Sequence, residues 1–292
     1  MAGAVTETLR TAGGPVDLGF AARFLAGWPP ATHAGASADG ALRLAFVRDD
    51  LEGAGGVTLR GGDGAEVAAS LSGGATVPQV RRVFGLDLDG AAFAALGQRD
   101  PLLGALQARA PAGARPVLFG SVYEAAAWAV LGARTPVARA AALRRALIAD
   151  HGEAVDLDGE RWRAFPAPRA LLAVHTVPGV ADEKLRRLHA VAGAALDGVL
   201  DADVLASLPA DEALARLKSV RGIGDFYAML ILLRAVGVRD VLPGSEPRIL
   251  AAAARLIGRD RPLTADEFAK ISARWSPFRT WASFLLRTVA HI

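Results

Sequence analysis

Apolar residues recur at two different periods along this chain, and the change of period divides it. Over residues 14–112, short β-like runs at 42–47, 57–60 and 67–71 alternate with turn-rich stretches such as Glu52-Gly53-Ala54-Gly55-Gly56 and Gly61-Gly62-Asp63-Gly64, as strands broken by turns do. Residues 16–28 and 77–84 follow helical spacing. The first of these runs into Trp28-Pro29-Pro30, a stop, because proline lacks the N–H that would continue a helix. A small α+β unit is expected here. Around residues 110–116 the chain becomes Ala-Pro-Ala-Gly-Ala-Arg-Pro, read as a linker, so the expected domains are 1–112 and 113–292. Beyond it, apolar positions fall at helical spacing through 122–131, 137–147, 185–196, 213–217, 226–236, 248–257, 265–275 and 279–292, predicting an all-helical bundle. Its connections carry the Pro and Gly found at helix ends. The fold class expected is α+β, with no internal repeat.

With 292 residues, 52% of them hydrophobic, the chain can bury cores for about two domains. The apolar runs at 125–133 and 226–233 fall far short of the ~18 residues of a membrane span, so no transmembrane helix and no membrane partner are expected. The start, Met-Ala-Gly-Ala-Val-Thr-Glu-Thr-Leu-Arg, lacks a charged segment followed by an apolar one, which argues against a secretory signal and for a cytoplasmic protein. Cysteine is absent, which excludes disulfides, thiolate zinc sites and cysteine-ligated iron–sulfur clusters. His33, His151, His175, His189 and His291 are isolated in sequence, and no metal enzyme is expected from them. Residues 1–112 hold 9 Lys/Arg against 11 Asp/Glu, while the rest hold 24 against 19. The second part is the better match to phosphates, although the same surplus also fits an ordinary solvated surface.

The chemistry concentrates in Leu217-Lys218-Ser219-Val220-Arg221-Gly222-Ile223-Gly224-Asp225-Phe226-Tyr227-Ala228, a short helix, a Gly-Ile-Gly turn and an apolar helix. Two glycines around one aliphatic residue permit a tight turn with positive φ and let backbone N–H groups approach a ligand without a Cβ in the way. The free N–H groups and dipole of the helix that begins near Asp225 then form a phosphate site, and Ile223 pins the hairpin to the core. Gly-x-Gly before a helix is a weak signal taken alone, and an ordinary helix–turn–helix connection accounts for it better.

Leu217, Val220, the two glycines and Ala228 together resemble the hairpin of the helix-hairpin-helix (HhH-GPD) DNA glycosylases. Two further segments are similar to that family. Tyr123-Glu124 through Trp128 to Leu131-Gly132 looks like the helix before its DNA-inserting loop, and Trp275-Ser276-Pro277-Phe278-Arg279-Thr280-Trp281 looks like its near-terminal Trp-x-Pro-Trp/Tyr-Arg segment. The N-terminal unit resembles the small TBP-like α/β domain of the DNA-3-methyladenine glycosylase II branch. The resemblance runs from about Val16 to Ala290 and implies a monomer that binds duplex DNA, extrudes an alkylated base and cleaves its N-glycosidic bond with help from one carboxylate. The implied DNA contacts are Gly222, Ile223, Gly224, Asp225, Arg134 and Thr135. No cofactor is required, although a structural Na or K ion on main-chain oxygens of Lys218, Val220 and Ile223 is implied.

The family places its catalytic Asp after a stretch that here reads Asp240-Val241-Leu242-Pro243-Gly244-Ser245-Glu246-Pro247-Arg248, and the spacing puts Glu246 at that position. Glu246 is the candidate catalytic carboxylate, one methylene longer than Asp; its alternative role is to cap a helix or pair with Arg248. Asp240, the reserve carboxylate, is structural by the family pattern. After Leu131-Gly132 the family has Gln and then a side chain that fills the gap left by the extruded base. Here Ala133-Arg134-Thr135-Pro136 follows, so Arg134 is read as entering the gap or contacting a phosphate. Phe226 stands where bifunctional members carry a Schiff-base lysine, so a β-lyase step is not expected. Phe226, Tyr227, Trp275 and Trp281 could offer stacking surfaces to the base, though for Trp275 and Trp281 core packing competes with that role. Arg287 falls where an aromatic lines the base pocket. A cleft with the hairpin and Glu246 on its wall is expected. Two other readings remain: a DNA-binding homologue without activity, and a helical protein-interaction domain.

Overall fold

The computed structural model describes residues 5–31, 35–36, 39–61, 64–244 and 246–289; His33 and His291 lie outside them. In the N-terminal part, β1 (Val5–Arg10) precedes α1 (Leu18–Gly27), and β2 (Gly35–Ala36), β3 (Leu42–Val47), β4 (Ala54–Gly61) and β5 (Glu66–Ser72) follow. They form one antiparallel sheet in the order β1-β5-β4-β3-β2. Asp17 accepts the Phe20 N–H and starts α1, and the prolines after Trp28 turn the chain into a short 3-10 segment, Pro29–Ala31. Leu42, Leu44 and Phe46 of β3 and Val57 and Leu59 of β4 pack against Ala21, Ala22 and Leu25 of α1, side chains two apart that share one face of the sheet, while the intervening residues are largely buried as well.

Three helices complete this part: α2 (Val77–Val83), α3 (Gly90–Arg99) and α4 (Pro101–Gln107). Then come α5 (Val122–Gly132) and α6 (Val137–His151), followed by a two-stranded hairpin, β6 (Ala154–Leu157) and β7 (Glu160–Arg163). The remaining helices are α7 (Pro168–Leu172), α8 (Asp182–Leu196), α9 (Ala202–Ser207), α10 (Ala210–Lys218), α11 (Asp225–Ile231), α12 (Pro247–Leu256), α13 (Ala265–Ser272) and α14 (Arg279–Val289). A π-helical turn, Leu232–Val236, extends α11. The molecule is a mixed α+β protein with a small sheet and a helical bundle.

The β6–β7 hairpin corrects the expectation that everything beyond residue 112 is helical. Val155, Leu157 and Ala164 pack against Ala54 of β4, on the side of the sheet that Ala45 faces, and the Glu153 carboxylate accepts the Ala54 N–H at 2.8 Å. The hairpin therefore covers sheet surface that would otherwise meet water. Residues 110–116 also differ from a free linker. Arg115 is buried and donates to the main-chain oxygens of Pro15, Gly85 and Leu88 at 3.0, 3.0 and 2.6 Å, and to that of Gly13. Burial lowers its pKa to about 10.

Two helical cores result. The first gathers α5, α6, α8, α10 and α11, with Tyr123, Leu131, Leu188, Leu217 and Ile231 inside. In it the buried Glu124 carboxylate accepts from Arg144 at 3.0 Å and from the Val47 N–H at 3.3 Å, tying α5 to α6 and β3. The second gathers α12, α13 and α14 with α3 and α4, so that Phe93, Leu103 and Leu106 share a core with Ala253, Phe268 and Leu285.

Candidate nucleic-acid interface and carboxylate

The hairpin between α10 and α11 has the form its sequence predicts. Leu217, Val220 and Ile223 are buried in the first core, and the Ile223 N–H donates to the Val220 carbonyl at 3.0 Å. Gly222 has φ +99, a conformation that only glycine holds without strain. Gly224 differs from the expectation of two positive-φ glycines: its φ is −100 and ψ −178, open to any residue. Space is what Gly224 supplies. It is exposed, a Cβ built on it would meet nothing within 4 Å, and no side chain caps the helix that begins behind it. The first N–H groups of α11 therefore face solvent.

Cations surround this turn. Glu183 on α8 draws in Arg186, Arg187 and Arg221 at 2.9 to 3.1 Å; the hydrogen bonds from Arg187 and Arg186 hold its carboxyl below the usual range. The Arg187 stem lies under Gly222, 3.1 Å from where a Cβ would sit. Asp225 pairs with Lys218 at 2.9 Å, clamping the two helices together, and among the DNA candidates it offers its backbone rather than its anionic side chain. Phe226 is 62% exposed beside the hairpin, more than any other large apolar side chain among the described residues.

Tyr227, by contrast, turns inward. Its hydroxyl faces Gly132 at the end of α5, 2.7 Å from where a Cβ there would sit, which joins the hairpin helix to the loop carrying Arg134. Arg134 is exposed, has φ +52 and pairs with no carboxylate among the described residues. Thr135 is occupied within the loop: its Oγ1 accepts from Lys184 at 2.5 Å and donates to the Ala133 oxygen at 3.1 Å.

Glu246 caps α12. Its carboxylate accepts the Ile249 N–H at 2.9 Å and the Arg248 N–H at 3.4 Å, and the residue is half-buried. The Arg248 backbone, not its guanidinium, reaches it. The chain leaves the first core at Val241 and enters the second at Leu242, so the hairpin and Glu246 stand on different cores joined by residues 237–246. Asp240 clamps that segment to α14, accepting from Arg279 Nε at 2.7 Å and from Ser276 Oγ at 2.7 Å. Burial raises its pKa, but these hydrogen bonds outweigh burial and leave it below the ordinary value.

Trp281 does not line an open pocket, which corrects its expected place there. It is 5% exposed, its face stacks on Phe93 with centroids 4.2 Å apart, and its indole N–H donates to the Ala114 oxygen at 3.0 Å. Trp275 is fully buried against Phe268. Arg287 is half-buried on α14, and its charge acts on a residue that the sequence pattern did not single out, Arg234. The Arg234 guanidinium lies 4.6 Å from the Trp28 ring centroid and 5.1 Å from those of Phe24 and Phe284, and it donates to the Val117 oxygen at 2.7 Å. Burial and then the charge of Arg287 lower its pKa to about 9. A single arginine inside the apolar run 226–236 is the signal that marks it. Lys184, half-buried on α8, is likewise absent from the sequence candidates; burial and then Arg187 lower its pKa. No cluster of His, Cys, Asp or Glu that could hold a metal occurs among the described residues, nor is any helix there long and apolar enough to cross a membrane.

No protein-family model matches the chain. A DNA-3-methyladenine glycosylase of Bacillus subtilis (strain 168) is 27% identical over 220 residues, 74% of this chain and 72% of that protein. A protein of Mycobacterium tuberculosis named as a bifunctional transcriptional activator and DNA repair enzyme, AlkA, is 29% identical over 220 residues, 72% of this chain but 42% of that longer protein. Among solved structures, a 3-methyladenine DNA glycosylase from Archaeoglobus fulgidus superposes with a TM-score of 0.79 over 98% of both chains at 20% identity.

Proposed function

We propose that this chain, a homologue of the DNA-3-methyladenine glycosylases, is a DNA repair enzyme that hydrolyses the N-glycosidic bond of alkylated purines in duplex DNA. The observation that carries the reading is the hairpin, where buried Leu217, Val220 and Ile223 hold an uncapped helix start open to solvent behind Gly224. A phosphate would accept from the backbone N–H groups there, with the cations around Glu183 adding attraction that depends on salt. The seam between the two helical cores is where we place the base-receiving cleft, with Phe226 as a stacking surface and Arg287 toward the base. The main-chain oxygens of Lys218, Val220 and Ile223 are hard, neutral donors suited to a monovalent cation; Val220 already accepts one N–H, and its second lone pair would serve. Such an ion would add positive charge beneath the bound phosphate.

We assign Glu246 as the carboxylate that assists bond cleavage. Alkylation at a ring nitrogen makes the base cationic and a good leaving group, so modest help suffices, and the two N–H groups that cap α12 also fix the direction of the carboxylate. With Phe226 in place of a lysine and Lys218 engaged by Asp225, the product is an intact strand with an abasic site. Within this reading the N-terminal sheet is the TBP-like unit of the branch, and the protein works as a monomer on cytoplasmic, nucleoid-associated DNA. The capping bonds of Glu246 also favour a second reading, a DNA-binding homologue in which the residue is purely structural.

The two readings separate on duplex DNA carrying 3-methyladenine at stoichiometric enzyme. Glu246→Gln should slow base release by about 10²-fold or more while changing Kd for the same duplex by less than about threefold. Wild-type protein that binds the duplex and releases no base over hours supports the second reading.

A further inference from the structure

The loop between α5 and α6 that carries Arg134 is held by Lys184. This lysine, in the first turn of α8, directs its ammonium at the C-terminal end of α5. It donates to the main-chain oxygens of Leu131 at 2.8 Å and Ala133 at 3.1 Å, and to Thr135 Oγ1 at 2.5 Å. An ammonium has three N–H groups, and all three are spent on acceptors that flank Arg134. Carbonyls at a helix C-terminus lack partners within the helix, and a cation there is also favoured by the helix dipole. The contact is therefore specific to this helix end.

What is held is an unusual conformation. Arg134 adopts φ +52, which an L-residue other than Asn or Asp keeps only where its surroundings dictate it. Its side chain is exposed, so nothing that Arg134 itself buries accounts for that backbone. The positive φ belongs to a tight turn that the Thr135 N–H closes on the Gly132 carbonyl at 3.2 Å, and the neighbours hold that turn in place: Lys184 grips the carbonyl before Arg134 and the hydroxyl after it, while Gly132 rests against the Tyr227 hydroxyl of the hairpin helix. The Arg134 loop and the hairpin thus form one unit, and the direction in which the guanidinium leaves the surface is set relative to the phosphate site.

We infer that Lys184 is a positioning residue: it fixes the Arg134 loop so that the guanidinium enters the gap left by an extruded base. What Arg134 does there rests on the glycosylase reading above; the test reads gap occupancy separately from base release. Without the ammonium, the Leu131 carbonyl loses its donor, the Ala133 carbonyl keeps only the Thr135 hydroxyl and the turn is no longer tied to α8, so Arg134 must be ordered at the moment of binding.

The probe is a duplex containing a tetrahydrofuran abasic analogue, compared with the same duplex intact, with 2-aminopurine beside the gap reporting insertion. Wild-type protein should prefer the gapped duplex by about tenfold or more, and Arg134→Ala should lose that preference. Lys184→Met should lose it to a similar extent, Lys184→Arg should keep most of it, and the Arg134→Ala/Lys184→Met double variant should be no worse than either single, because both changes remove one function. Affinity for intact duplex, set at the hairpin, should move by less than about twofold in the single Lys184 variants. Should Lys184→Met fail to fold by thermal melting, Lys184→Gln carries the same comparison. The proposal is overturned if Lys184→Met keeps the preference, if it weakens gapped and intact DNA alike, if the two losses add, or if Arg134→Ala itself keeps the preference. A wild-type protein that shows the Lys184-dependent preference but releases no base sustains the proposal and overturns only the catalytic reading.

Discussion

Replacing Gly224 by alanine tests the hairpin more sharply than any charge removal, because the substitution is nearly silent in the free protein. The backbone at Gly224 has φ −100 and ψ −178, which alanine adopts freely, and a Cβ there meets nothing within 4 Å. Alanine is a poorer N-cap than glycine, at a cost of up to ~1 kcal/mol, but it also restricts the unfolded chain, which returns about 0.4–1 kcal/mol. Stability should therefore change by less than ~1 kcal/mol, no more than about 2–4 °C in Tm for a chain of this size. On DNA the outcome is different. The new methyl occupies the space in which a phosphate would accept from the backbone N–H groups of Gly224 and its neighbours. Losing even one hydrogen bond to a charged group, worth about 1.5–3 kcal/mol, raises Kd by about 10- to 100-fold. The dependence of log K on log salt should become shallower by about 0.9 for each phosphate that the variant no longer neutralises. Fluorescence anisotropy with a labelled duplex at four or five salt concentrations, beside thermal melts, reads all three quantities. Gly222→Ala is the contrast: at φ +99, with Arg187 Cδ 3.1 Å from the new Cβ, it should lower stability itself by ~1–2 kcal/mol. A folded Gly224→Ala protein with wild-type affinity and salt slope would show that phosphate does not bind at this turn.

Two further changes probe the frame around the site. Because hydrogen bonds from Arg279 and Ser276 hold the Asp240 pKa below its ordinary 3.8, the clamp contributes stability that is fully present above that value and is lost as pH falls through the lower, folded-state pKa. Thermal melts of wild type should decline below about pH 4 more steeply than those of Asp240→Asn; parallel curves would refute the assignment. Trp281→Ala removes a ring stacked on Phe93 and should cost ~3–5 kcal/mol by chemical denaturation while leaving the Kd for duplex DNA of the folded protein unchanged, whereas a Trp281 that lined the base pocket would lose lesion preference instead.

The parts of the site legible in sequence are those whose physics is local. Leu217, Val220, Gly222 and Ile223 are close in sequence, so their spacing shows two helices joined by a tight turn. The capping role of Glu246 is legible in the same way, as a carboxylate directly before a proline and an apolar helix. Lys184 could not be found that way, since its acceptors at Leu131, Ala133 and Thr135 lie some fifty residues earlier and are brought to it only by the packing of α8 on α5. Trp281 is ambiguous in sequence for a related reason. An aromatic on an amphipathic helix can face a core or a cleft, and its stacking partner, Phe93, comes from the far end of the chain. The β6–β7 hairpin was hidden by brevity: four residues per strand give too few alternations to outweigh the helical period on either side.

The stacking of Phe93 on Trp281, and of Leu103 and Leu106 into the core beside it, sets an order of events during synthesis. The apolar faces of α3 and α4 leave the ribosome well before α14 exists, and for that interval they have only part of their core to pack against, Phe20 of α1 and later α12. At ~5–20 residues per second, the roughly 170 residues in between take on the order of ten seconds or more, long enough for a chaperone or a neighbouring nascent chain to engage that surface. A chain truncated ahead of α14 would never leave that state, and should appear in cells as a chaperone client or an aggregate rather than as a weakened enzyme.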